Sequence, residues 1–155
     1  MTEQDRIEAA GAEDARIRRA AAAFGAVFLL AGVLGFIPGI TTGYGRMALA
    51  GHHSGAMLLG VFQVSVLHNI VHLIFGFLGI AAARRGRRAA RSYLTWGGIF
   101  YLLLWLYGMG IAEPSFNIVP VDAAGSWLHF GLGLGMISAR WLIGARTRGN
   151  MPHWG

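Results

Sequence analysis

Charged side chains are absent from this chain over long intervals, and those intervals set its architecture. None occurs between Arg19 and Arg46, between Arg46 and Arg84, or between Arg91 and Glu113. Each interval holds the roughly 20 apolar residues that cross about 30 Å of hydrocarbon as a helix. A fourth apolar stretch, residues 123–145, is interrupted by Arg140 alone, whose stem can lie along acyl chains while its guanidinium reaches the headgroups. The pattern predicts an all-α, polytopic membrane protein, a four-transmembrane-helix bundle with spans at about 20–37, 62–83, 92–112 and 123–145. Before it lies a leader over residues 1–19, with mixed charge at helical spacing, which reads as a solvated or surface-lying helix. After it lies a tail over residues 146–155.

The first span stops at Pro38-Gly39, where proline removes a backbone donor. Beyond it, MALAGHHSGAMLLG within residues 38–60 is apolar enough to predict a short outer interfacial helix. His52 and His53 at its centre point in different directions on a helix and read as an exposed turn, a poor metal pair. The second span is more specific. Ser65, His68, Asn69, His72, Gly76 and Gly79 fall at offsets 0, 3, 4, 7, 11 and 14, one stripe on a 3.6-residue helix. A face that joins polar and small residues is penalised by lipid and suits a neighbouring helix. Val64, Leu67, Ile70, Ile74, Phe77 and Leu78 occupy the remaining faces. Span one offers Gly25, Gly32 and Gly35, span three Gly97 and Tyr101, and span four a Gly131, Gly135, Ala139 ridge beside Ser126, His129 and Gly133.

With 55% hydrophobic and 13% charged residues and a mean hydropathy of +0.52, the composition lies outside the usual soluble range. A net charge of +6 raises nucleic acid as a partner, and its placement argues against that. Arg16, Arg18 and Arg19 precede the first span, Arg84, Arg85, Arg87, Arg88 and Arg91 lie between the second and third, and Arg146 and Arg148 follow the fourth. By the positive-inside rule these segments are cytoplasmic, which puts both termini inside a multi-pass plasma-membrane protein and makes the basic clusters a topology and anionic-lipid device. The expected partners are the lipid bilayer and a membrane protein or a second copy, with no nucleic acid. Without cysteine, disulfides, iron–sulfur clusters and thiolate zinc sites are excluded.

Three chemistries are open to His68, His72 and His129, which this topology puts in the extracytoplasmic half of the membrane. In the first, and the one expected, they are neutral clips between helices. They then belong to a structural polar cluster with Gln63, Ser65, Asn69, Tyr101, Asn117 and Ser126, each bond worth about 0.6 kcal/mol. The protein would be a non-enzymatic accessory or scaffolding subunit without a cofactor. In the second they bind haem or a metal, making a redox or sensing protein. Histidines four apart on one helix plus one from a facing helix can ligate copper or zinc, with Asp122 or Glu113 as a nearby carboxylate, and one histidine each from spans two and four can ligate haem. In the third they relay protons, against which stand the lack of acids within any span and of an inverted repeat. No serine, histidine and carboxylate set is arranged for nucleophilic attack.

The strings LAGVLGFIPGIT (residues 30–41), LLGVFQVSVLHNIVHLIFGFLGI (58–80) and NIVPVDAAGSWLHFGLGLGM (117–136) together resemble the actinobacterial membrane proteins of domain-of-unknown-function family 4383. The resemblance covers about residues 20–142 and implies four transmembrane helices, a bacterial plasma membrane and no established activity. Its motif residues here are Phe62, Gln63, Val64, Leu67, His68, Asn69 and His72, with Trp127, Leu128 and His129. Where the family commonly has an acid or amide before the tryptophan, this chain has Gly125 and Ser126.

Overall fold

The computed structural model describes residues 2–51, 53–110 and 122–148. The fold is mostly helical, with four α-helices among the described residues: α1 (Glu3–Leu34), α2 (Val66–Arg85), α3 (Arg87–Gly110) and α4 (Ala123–Arg148). Two of them, α1 and α2, are long and apolar enough to cross a membrane.

Each start has a local cause. At α1 the Thr2 hydroxyl accepts from the Asp5 amide at 3.2 Å while the Asp5 carboxylate accepts from the Thr2 amide at 2.6 Å, which satisfies amides that the first turn leaves open. At α2 the Ser65 hydroxyl accepts from the His68 amide at 3.2 Å, and at α4 the Asp122 carboxylate accepts from the Gly125 amide at 2.8 Å. The arginines expected in a loop instead end α2 and begin α3, joined by Gly86 alone at φ 110°, a conformation that side chains rarely adopt.

The residues of the leader and those of the expected first span share one helix, because α1 runs 32 residues without a break. Glu13 is buried on it, and its carboxylate receives the guanidiniums of Arg91 at 2.9 Å and Arg87 at 3.3 Å, both on α3. One turn on, Arg18 Nε donates to the Ala83 carbonyl near the end of α2 at 2.8 Å, a carbonyl the helix itself leaves open. These bonds put the arginines of α1, α2 and α3 at one end of the bundle.

Helix α1 packs along α2, and α3 along α4, with glycines where backbones meet. A Cβ on Gly25 would stand 2.9 Å from the Gly76 carbonyl, and one on Gly98 2.9 Å from that of Gly133. Gly133 is therefore the contact on α4, while Gly131 of the expected ridge has open space beside it. Ile17, Ala21, Phe28, Leu94, Tyr101 and Met136 form the buried core. Outward, all four helices expose large apolar side chains, including Leu30, Phe77, Leu103 and Leu134.

The outer segment departs from the expectation of an interfacial helix. It forms a three-stranded antiparallel sheet, β1 (Thr41–Thr42), β2 (Ala56–Leu58) and β3 (Phe62–Val64), with a 3-10 turn at Tyr44–Arg46. Thr41 pairs with Leu58, and Ala56 with Val64. Gly43, Gly51 and Gly60 all hold positive φ, so the chain bends where a helix would need to continue. Ala56, Leu58 and Val64 make a small core of their own against Leu34, Ile40 and Met47. The fold is thus mostly helical, not all-α, and the second helix begins at Val66, with residues 62–64 in the sheet.

Candidate metal centre

The stripe on α2 faces inward as its spacing predicts. Ser65, Asn69, His72, Gly76 and Gly79 are buried, while Leu67, Ile70, Ile74, Phe77 and Leu78 are exposed. His68 and His72, one turn apart on this helix, stack with ring centroids 4.6 Å apart and planes at 15°. From α4, the ring of His129 lies 6.0 Å from that of His68. One ligating nitrogen from each of the three lies within 4.8 Å of the others. His72 and His129 are buried, at 7% and 2% exposure.

The walls are apolar and aromatic. The ring of Tyr101 on α3 lies 5.4 Å from that of His129 and 6.4 Å, edge-on, from that of His72. Phe28 on α1 stacks on Tyr101 at 4.8 Å and meets His72 edge-on at 5.7 Å. A cavity of about 70 Å³ opens among the three histidines, with Leu67, Val71, Leu104 and Tyr101 around it. Among the described residues, neither ring nitrogen of His72, nor His129 Nδ1, nor the Tyr101 hydroxyl has a hydrogen-bond partner. A buried polar atom without a partner costs about 1–3 kcal/mol, so these atoms are arranged as if for something that supplies a bond.

Of the other residues the sequence singles out, Tyr101 joins the cluster and most others do not. The Gln63 amide donates to the Ser54 carbonyl at 2.7 Å, holding the sheet's loop, and the Ser54 hydroxyl donates to the Val64 carbonyl. Ser65 is occupied as the cap of α2. Asn69 turns toward α1, packed on Gly35 with its amide 3.9 Å from Met47 Sδ. Ser126 is buried in the first turn of α4. Asp122 caps α4 and is not among the grouped ligands. Asn117, Glu113 and His52 lie outside the described residues. Sequence reasoning missed Phe28, although it shares the inward face of α1 with Gly25 and Gly32, at offsets of 3 and 4.

Three imidazole nitrogens bound to one ion at about 2.0 Å stand roughly 3.3–3.5 Å apart. Nitrogens within 4.8 Å of one another would close by on the order of 1 Å to reach that spacing, and the near-parallel rings of His68 and His72 would rotate about their side-chain torsions so that both lone pairs, which lie in the ring planes, meet one ion. The family model described as Domain of unknown function (DUF4383) matches residues 18–142, and the chain belongs to that family. No curated protein and no solved structure matches it.

Proposed function

We propose that this chain is a multi-pass membrane protein that holds a copper ion between His68, His72 and His129. The membrane part rests on the outward apolar belt of all four helices, which exceeds what a soluble monomer leaves to water. It also rests on Trp127 and Trp141, both exposed on α4. They stand about 21 Å apart along its axis, toward its two ends, and indole rings are enriched near membrane interfaces. With the arginine end cytoplasmic, His72 sits 12 residues from Arg84, about 18 Å up α2, in the extracytoplasmic half. A reporter fused at Arg87 is then cytoplasmic, and one at Asn117 is outside.

The observation that carries the metal reading is the pair of ring nitrogens on buried His72, neither with a hydrogen-bond partner among the described residues. As clips, His72 and His129 would be expected to bond Tyr101, Ser65, Ser126 or Asn117, the last of which lies outside the described residues. Ser65 instead accepts from the backbone of α2, and among the described residues the Tyr101 hydroxyl has no partner. Of the glycines that would dock a scaffolding subunit onto a larger complex, Gly25, Gly76, Gly98 and Gly133 are occupied inside the bundle, and Gly131 has open space beside it. A haem would need a slot for its macrocycle between two imidazoles. Neither the 6.0 Å between the rings of His68 and His129, one from each helix, nor a cavity of about 70 Å³ leaves room for one.

Between copper and zinc, charge decides. Three neutral imidazoles in an apolar pocket leave the ion's charge uncompensated, and the cost of burying charge rises with its square. Monovalent copper therefore suits the pocket better than divalent zinc, and imidazole is an accepted ligand for it. The test is an anaerobic Cu(I) titration against a chromophoric chelator in detergent. One copper per chain, lost in His72→Ala, supports the assignment. Equal copper uptake by wild type and His72→Ala would refute it.

A further inference from the structure

A second concavity lies between α2 and α3, running from Phe100, which it shares with the histidine cavity, to the arginine end. It is an open groove of about 430 Å³, with Phe75, Leu78 and Trp96 along its sides, Ala82 and Ala89 leaving its space, and Arg85 at its mouth. Phe75 and Arg85 are 10 residues apart on one helix, so the groove runs about 15 Å along the bundle. That is half of a hydrocarbon core of about 30 Å, the depth of one leaflet.

The mouth is cationic, and the cations there divide into two sets. Arg87 and Arg91 are paired with Glu13. Arg84, Arg85 and Arg88 are in no ion pair among the described residues; all three are exposed, and Arg85 lines the groove. A chain-length apolar slot that opens under unneutralised guanidiniums is complementary to one kind of molecule: an acyl chain ending in an anionic phosphate. We propose that this groove seats one anionic phospholipid of the cytoplasmic leaflet, its phosphate on Arg84, Arg85 and Arg88 and one acyl chain along Ala82 and Phe75. The proposal rests on the membrane-spanning reading and is independent of the metal site.

The experiment reconstitutes the full chain in nanodiscs of equal phosphatidylglycerol and phosphatidylcholine, extracts it in mild detergent and counts retained lipid by native mass spectrometry. One retained lipid per chain is expected, phosphatidylglycerol over phosphatidylcholine by roughly tenfold or more. Arg84→Gln, Arg85→Gln and Arg88→Gln together should erase that preference, and Ala82→Phe should lower retention of both lipids by filling the slot. The arginine variant alters exposed side chains, so it tests the site even if Ala82→Phe misfolds. Equal retention of the two lipids by wild type, or an unchanged preference in the arginine variant, overturns the site. Release of the chain from its native membrane by alkaline carbonate overturns the membrane reading itself, a separate failure.

Discussion

His72→Leu keeps the side chain near its original size and removes both ring nitrogens. Among the described residues those buried nitrogens have no partner, and a neutral imidazole presents one donor and one acceptor. Each unpartnered buried group costs about 1–3 kcal/mol. The gain is reduced because the unfolded chain in detergent also solvates its imidazole incompletely. A net stabilisation of about 2 kcal/mol follows, roughly 4–8 °C in the midpoint for a chain of this length. Copper reverses the order. At a free concentration 100 times its dissociation constant, an ion that binds the folded state alone adds about 2.7 kcal/mol to wild type and nothing to the variant. Thermal unfolding followed by circular dichroism in detergent, with chelator and then with Cu(I), reads both effects. If His72→Leu lowers the midpoint of the metal-free protein, the imidazole has bonds it cannot lose, and the histidines are structural clips.

Other consequences follow from the same contacts. Glu13→Gln removes the charge that two guanidiniums share, and because Arg87 and Arg91 remain 39% and 28% exposed the loss is about 1–2 kcal/mol, read as a lower denaturant midpoint. Gly98→Ala drives a methyl to 2.9 Å from the Gly133 carbonyl and should cost about 1–3 kcal/mol, whereas Gly131→Ala, with open space beside it, should be neutral or stabilising by up to about 1 kcal/mol; thermal midpoints of the pair compare them. Ligation needs neutral imidazoles, so acidification should release copper, and a chelator-competition titration at falling pH should show monotonic weakening.

The helical frame was legible because charge gaps and 3.6-residue stripes are long-range signals that many residues share. The inward face of α2 follows directly from its Ser65 to Gly79 stripe. The sheet was missed because its strands span two or three residues each, too short for alternation to outweigh apolar composition. Its signal was the glycines at positions 43, 51, 55 and 60, which punctuate the segment. The continuity of α1 was hidden because a buried Glu13 looks like any exposed acid until Arg87 and Arg91 are known to meet it. The grouping of His68, His72 and His129 was suggested by depth alone. What depth could not convey was that Ser65, Gln63 and Asn69, the polar neighbours in sequence, bond elsewhere and that among the described residues His72 has no partner.

The most direct test of the copper site is X-ray absorption at the copper edge, with elemental analysis, on protein purified from its native membrane without chelator or metal-affinity resin. About one copper per chain with a shell of three nitrogen ligands near 2.0 Å, absent from the His68→Ala, His72→Ala and His129→Ala variants, is the predicted result. Copper coordinated by sulfur or oxygen, or wild type and variants with the same metal content, would contradict it.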